Sequence, residues 1–463
     1  MEPDFSSDIC VIGGGPAGSV IARQLAKLGH SVCMVEKAAF PRPHVGICLS
    51  ETTGELLAYL GMLEEITRTA ALQQRKNVLV KWDMDDAILT HQPGMNVDRG
   101  EFDRILIRNA QSAGVRVFQP AENVSIQQLD SGGWKISFKT EKQTISIRSQ
   151  FLVDASGRSN ALQKKFVRYA PALFALHAHW ELGSEPSCDG SMEAGESSWL
   201  WTAYLGNRKA MISLYTDPKS VAESGGSIED FYLNSLKQFS TLNQFDRISI
   251  VDKIIGCDAS SRYSTEAARR DFIRVGDASL CVDPMASQGI HLAISSGIQA
   301  AVVVNTLLRS PETAAVALDF YSNSQQGQID RFGKRTAEEY SRALKYWNGA
   351  FWQNRSMNVA KTERTSKSVS KPEADRIVQL CPEAQFLSTP VMQDDFIVSL
   401  PALHHPGLQQ PVAYLGGVYI VSLLEQLQSE MTVQEITSLW TMNLSDELSL
   451  SILEWLWQHR ILI

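Results

Sequence analysis

The chain has 463 residues, of which 44% are hydrophobic and 20% charged, an ordinary composition for a globular protein with room for two or three domains. Its formal net charge of −8 argues against a nucleic-acid partner, since phosphate-binding surfaces need an excess of Lys and Arg. The N-terminal Met1-Glu2-Pro3-Asp4 has neither a basic nor an apolar leader segment, and no uninterrupted apolar run reaches the ~18 residues of a membrane span. A cytoplasmic location is the expectation. The seven cysteines, Cys10, Cys33, Cys48, Cys188, Cys257, Cys281 and Cys381, show no metal-binding or disulfide spacing, so neither a metal site nor a disulfide framework is expected.

The first element is the most informative. Ile9-Cys10-Val11-Ile12 reads as a strand, Gly13-Gly14-Gly15-Pro16-Ala17-Gly18 as a turn into a helix over 17–28, and Val35-Glu36-Lys37 as the end of a second strand. Each glycine has a physical task. Gly13 permits the tight turn, Gly15 lets the backbone approach a pyrophosphate, and Gly18 allows helix and sheet to pack closely. The helix then directs free N–H groups at the phosphates, and Glu36 stands where a carboxylate accepts hydrogen bonds from a ribose. Cys10 and Cys33 fall in these strands and read as core residues.

Further along, Phe151-Leu152-Val153-Asp154-Ala155-Ser156-Gly157-Arg158 and Phe272-Ile273-Arg274-Val275-Gly276-Asp277-Ala278 are again apolar strands running into small-residue turns. We expect the three strand ends to converge on one ligand. A helix beginning near Gly289 carries small residues, Ala293, Ser295, Ser296, Gly297, Ala300 and Ala301, suited to close packing. Between these signals, 166–258 alternates polar and apolar residues in short runs, as in Trp199-Leu200-Trp201 and Met211-Ile212-Ser213-Leu214-Tyr215, and reads as an antiparallel sheet.

After 310 the pattern is helical, with Phe320, Ile329, Phe332 and Tyr340 on the apolar face. The segment 361–371 reads as a solvated loop, and prolines at 372, 382, 390, 401, 406 and 411 exclude a long helix beyond it. Thr432 and Glu435 form a capping-box pattern, and Leu448, Ile452, Trp455, Leu456 and His459 recur at helical spacing. In this winged-helix-like tail Glu425, Glu430, Glu435, Asp446, Glu447 and Glu454 outnumber Arg460, which speaks against DNA binding and for a lid or a docking surface.

With these residues in view, the chain resembles the FAD-dependent monooxygenases and flavin-dependent halogenases over about 5–345. The match rests on the 13–18 turn with Glu36, on Phe40-Pro41-Arg42-Pro43-His44-Val45-Gly46, on Arg99-Gly100-Glu101-Phe102-Asp103, and on Gly276-Asp277 with Asp283-Pro284 and Gly289. The resemblance implies an α/β fold: a Rossmann-like FAD-binding domain (1–165 and 259–345) and an antiparallel β-sheet substrate domain (166–258, with elements of 70–98 able to join it). An irregular connecting segment (346–410) and a helical, winged-helix-like C-terminal module (411–463) complete the expectation. It further implies FAD contacts from Gly13, Gly15, Pro16, Ala17, Glu36, Lys37, Arg42, Gly46, Arg99, Val124, Asp154, Ala155, Gly157, Gly276, Asp277, Pro284, Gln288, Gly289 and Ile290. Catalytic placement falls to His44, Cys48 and Gln288, although Cys48 reads more readily as a small buried thiol.

Reduced flavin, oxidised by O2, then serves one of two outcomes. Hydroxylases transfer oxygen to an aromatic ring, whereas halogenases oxidise halide and pass it along a tunnel to a lysine. Thr202-Ala203-Tyr204 and Ser287-Gln288-Gly289 depart from the halogenase pattern, and Lys76 and Lys81 are the lysines near the expected position. The Asp283-Pro284 to Ile290 segment resembles flavoproteins that mature tryptophylquinone-dependent amine and amino-acid oxidases. That resemblance ranks hydroxylation of a tryptophan in a partner protein first, a halogenase acting on a free or carrier-bound aromatic second, and a non-catalytic maturation chaperone third. No second dinucleotide motif is present, so NAD(P)H binding transiently or a separate flavin reductase is the expected electron source.

Overall fold

The computed structural model describes residues 5–42, 48–83, 86–159, 161–162, 166–243, 248–357, 372–408, 410–428 and 430–463. The expectations for His44, Gly46 and the 361–371 loop lie outside the described residues. The chain divides into two compact units, residues 1–305 with 321–360 and residues 306–320 with 361–463.

In the first unit the strand Phe5–Ile12 lies parallel between Val32–Val35 and Thr144–Asp154, and Phe272–Arg274 extends the same parallel sheet. Cys10 sits opposite Cys33 in this register and both are fully buried. The apolar strands are covered on both faces, as parallel sheets require, and Ile12, Asp154 and Arg274 bring three strand ends level with one another.

A nine-stranded sheet forms the second layer of this unit. Phe174–Leu182, Lys209–Thr216, Ser198–Tyr204 and Gly190–Ala194 pair antiparallel in that order, and Ala71–Lys81 joins Gly190–Ala194 in parallel, with Ile88–Val97 beyond it. Alternation places Leu176, Leu200, Ile212 and Leu214 in a core with Tyr232 and Leu236 of the helix Ile228–Leu236. The opposite face carries Ala175, His177, Trp199, Trp201, Ser213 and Tyr215.

The helix Gly289–Arg309 has the length and composition of a membrane-crossing helix, but here Ile294, Ala300, Ala301, Val303 and Val304 are buried in protein. Its small residues serve close packing, since a Cβ on Gly297 would come within 2.9 Å of the Ala17 carbonyl oxygen.

In the second unit the capping box is formed, with Thr432 Oγ1 accepting from Glu435 N–H and Glu435 accepting from Thr432 N–H. The helices Val433–Trp440 and Asp446–Gln458 bury Ile436, Trp440, Ile452 and Leu456. The expectation of an irregular 346–410 segment is corrected. Ala350–Ser356 is helical, and Gln385–Gln393 and Phe396–His404 form an antiparallel hairpin that belongs with this unit. Pro390 and Pro401 do not prevent it, because a two-stranded sheet leaves every strand with an edge that needs no ladder donor.

Candidate functional site: a dinucleotide cleft opening into an aromatic chamber

The strand ends and the antiparallel sheet enclose a cavity of about 1060 Å³, at the upper end of the range for small-molecule sites. Its first part is the glycine turn. Gly13 has φ +106°, and a Cβ there would lie 2.3 Å from the Ala155 carbonyl oxygen; one on Gly18 would lie 1.9 Å from the Gly13 oxygen. Gly15 is different. The nearest atom to its added Cβ is Arg42 Nη2 at 3.8 Å, so the space in front of it is free for a ligand. The helix Pro16–Lys27 starts here with no side-chain cap and no acid in its first turn, which leaves its N–H groups and positive dipole end to an anion.

Glu36, 3% exposed, accepts from Gly14 N–H at 2.7 Å and Ala38 N–H at 2.8 Å, and Arg42 Nη1 approaches it at 3.5 Å. The carboxylate therefore tightens the turn while lining the cavity. Arg99 is held by Asp103, with Nε and Nη2 each 3.1 Å from a carboxylate oxygen. Among the described residues the Nε of Arg42 is buried without a partner, in keeping with a cleft built for an anionic group.

Gly13, Gly15, Pro16, Ala17, Glu36, Lys37, Arg42, Arg99, Val124, Ala155, Gly157, Gly276, Asp277, Pro284, Gln288, Gly289 and Ile290 all line this cavity. Asp154 does not. It is 1% exposed and accepts from Ser156 N–H at 3.1 Å and Ser156 Oγ at 2.6 Å, beside Arg274 at 3.6 Å, so it fixes the turn rather than facing a ligand. Asp277 pairs with Arg158, whose Nε is 3.2 Å away. Arg158 is a lining residue that the motif reading passed over, although it directly follows Gly157.

The second part of the cavity is the chamber wall. In-register rows run across the sheet, Ala175 to Tyr215 to Trp199 and His177 to Ser213 to Trp201 to Met192, and every one of these residues lines the cavity. Trp199 stacks on Tyr215 with centroids 3.9 Å apart and planes 13° apart, and Trp82 meets its edge at 6.1 Å. Such a wall offers flat π faces and soft thioethers to an aromatic ring. Cys48 lines the chamber, but burial raises its thiol pKa against the lowering effects of Arg75 and Trp201. It stays a thiol at neutral pH, which disfavours nucleophilic work. Gln288 follows Ser287, which adopts a left-handed φ of +50° at the entrance to the Gly289 helix, and both line the cavity.

Neither sequence-nominated lysine reaches the chamber. Lys76 is exposed, and Lys81 Nζ is 2.8 Å from Ser240 Oγ and 3.5 Å from Glu193. Among the described residues Lys37, on the dinucleotide side, is the lysine that lines the cavity.

Residues 6–166 match the model of the FAD-binding domain. The chain is 30% identical over 365 residues to tryptophan 2-halogenase of Chondromyces crocatus, covering 73% of this chain and 69% of that protein. The chain belongs to the FAD-dependent monooxygenase and halogenase superfamily. A second relative, the 1H-pyrrole-2-carbonyl-[peptidyl-carrier protein] chlorinase of Pseudomonas fluorescens, is 27% identical over 63% of the chain and 74% of its own length. Two solved structures share the fold across almost the whole chain. The flavin-dependent halogenase CmlS has a TM-score of 0.78 at 20% identity, covering 99% of this chain and 96% of its own. The peptidyl tryptophan dihydroxylase QhpG, essential for tryptophylquinone cofactor biogenesis, has 0.74 at 24%, covering 98% and 99%.

The flavoenzyme is therefore an FAD-dependent oxidoreductase of the monooxygenase type that modifies aromatic compounds. The uncapped helix end, the glycine cradle and the arginines fit FAD, which when bound would supply the redox chemistry of the site. The ranking of the finer readings changes. Sequence kinship is with halogenases, whereas protein-tryptophan hydroxylation is represented by one neighbour whose identity supports the fold alone.

Proposed function

We propose that this flavoenzyme halogenates an aromatic ring held in the Trp199–Tyr215 chamber. The supporting observation is the chamber itself, an aromatic- and methionine-lined wall continuous with an FAD cleft, in a chain 30% identical to a tryptophan 2-halogenase. Gly13, Gly15 and the Pro16 helix end hold the pyrophosphate, Glu36 faces the adenosine ribose, Arg42 and Arg99 balance charge along the cleft, and Gly289 and Ile290 present backbone N–H groups to the flavin ring. The aromatic wall orients the ring and keeps water from it. Reduced flavin comes from NAD(P)H or from a reductase partner.

A second reading is oxygen transfer to the ring, with a polypeptide tryptophan as substrate. It is favoured by the positions of Lys76 and Lys81, outside the chamber, so that among the described residues no lysine stands where the halogenase resemblance calls for one. Supplying reduced FAD, air and bromide together with L-tryptophan, a carrier-bound pyrrole or a tryptophan peptide separates the two. Bromine in the product supports the first reading, and oxygen without bromine supports the second.

A further inference from the structure

We propose that Asp283 is the catalytic base of the ring substitution, receiving on its carboxylate the proton that the attacked ring carbon loses. The proposal rests on the aromatic-modification reading but holds for either electrophile. Asp283 precedes the short turn Pro284–Ala286, is 5% exposed, and lines the chamber with Trp199, Tyr215 and Met285. Oδ1 accepts from Met285 N–H at 2.9 Å, and the Tyr340 hydroxyl donates to Oδ2 at 3.2 Å. That hydroxyl in turn accepts from Trp199 Nε1 at 3.1 Å, so the acid is wired to the chamber wall. A carboxylate has about four acceptor positions, which leaves capacity for a further proton donor.

The nearby cations Arg355 and Arg158 lower its pKa through space but make hydrogen bonds and ion pairs to other groups. Arg355 binds Asp217 Oδ1 at 2.6 Å and the Phe351 carbonyl at 3.0 Å, and Arg158 pairs with Asp277. Among the described residues the other titratable groups that act on Asp283 are Tyr340, Tyr215 and Tyr169. Among the described residues no ion pair engages it, and burial outweighs the favourable contacts and lifts its pKa to about 6. At neutral pH the group is ionised and still basic enough to hold a proton.

The step balances for oxygen or halogen alike. Ring π electrons form the new C–O or C–halogen bond, the C–H bond at that carbon breaks, its electron pair restores the aromatic ring, and the proton passes to Asp283. The oxidising equivalent is that of dioxygen with reduced flavin, as the family's activity already supplies.

The test uses holoenzyme and indole, with Asp283→Asn and Asp283→Glu. Infrared titration of 13C-aspartate-labelled protein is expected to show a protonated carboxyl with a midpoint near pH 6 that disappears in Asp283→Asn and shifts when indole is added. Turnover of indole is expected to fall about 10²-fold in Asp283→Asn, to lose the pH limb near 6, and to acquire an isotope effect with ring-deuterated indole; Asp283→Glu recovers part of the rate. A carboxyl midpoint below 4.5, or a band indifferent to indole, overturns the proposal. An unchanged pH limb and isotope effect in Asp283→Asn overturn it as well. Wild-type enzyme that leaves every aromatic probe unmodified counts against the functional reading, while the infrared arms still decide the place of Asp283.

Discussion

Arg99 and Asp103 lie one turn apart in the helix Arg99–Ser112 and form a two-pronged pair, each contact 3.1 Å long, with Arg99 6% exposed and Asp103 fully buried. The pairing turns a long cation into a fixed element of the cleft wall. Asp103→Asn should remove the buried carboxylate charge that Arg99 and, at 3.9 Å, Arg42 share, costing about 3–5 kcal/mol of stability and weakening FAD binding by about tenfold, since 1.4 kcal/mol of lost positioning corresponds to that factor. Urea unfolding and flavin fluorescence titration check the two effects. A variant with wild-type midpoint and affinity would show that the pair is incidental.

The glycine turn predicts two different failures. Gly18→Ala drives a Cβ into the Gly13 carbonyl, so the fold itself should suffer and the melting temperature should drop. Gly15→Ala meets no protein atom within 3.8 Å, so the apoprotein should fold with unchanged circular dichroism yet purify with little flavin absorbance at the expected stoichiometry. Equal flavin content in both variants would contradict a pyrophosphate in front of Gly15.

Asp283 should also leave a signature in stability against pH. Its folded pKa of about 6 lies above the ordinary 3.8, so between these values the folded state holds a proton that the unfolded chain releases. Stability from this group is therefore full below about pH 4 and falls as pH rises to about 6, by about 3 kcal/mol in all. Asp283→Asn lacks this loss. Urea midpoints measured from pH 4 to pH 7 should show the variant gaining on the wild type as pH rises, and parallel curves would refute the shift.

The tryptophans of the chamber should separate packing from recognition. Trp199 is 2% exposed, stacked on Tyr215 and hydrogen-bonded to Tyr340, so Trp199→Ala should destabilise the unit by about 3–5 kcal/mol. Trp201 is half-buried on the same face, and Trp201→Ala should leave FAD affinity unchanged while raising KM for the aromatic substrate several-fold. Steady-state kinetics with flavin titration distinguishes the outcomes; a change in flavin affinity alone would place Trp201 at the cofactor instead.

The dinucleotide cleft was legible in the sequence because its determinants are local. Gly13, Gly15, Gly18 and Glu36 act within one strand-helix-strand unit, and the turn they dictate needs no distant contact. Asp154 was misplaced because a strand-terminal acid looks alike whether it faces a ligand or, as here, caps the Ser156 turn. The chamber was not legible. Ala175, Met192, Trp199, Trp201, Ser213 and Tyr215 come from four strands, and only their register puts them in two rows. Asp283 was read as part of a motif, since its burial beneath Tyr340 depends on a helix 57 residues away. The hairpin at 385–404 was hidden by Pro390 and Pro401, which local rules read as breaks.

The most direct measurement is the mass of the product formed in one reaction containing reduced FAD, 18O-labelled dioxygen, bromide and an aromatic substrate. Our account predicts replacement of a ring hydrogen by bromine, seen as the paired-isotope signature of one bromine with no 18O in the organic product. Incorporation of 18O without bromine would contradict halogenation and favour the hydroxylase reading. Recovery of every aromatic unmodified, with flavin oxidised, would contradict the account as a whole.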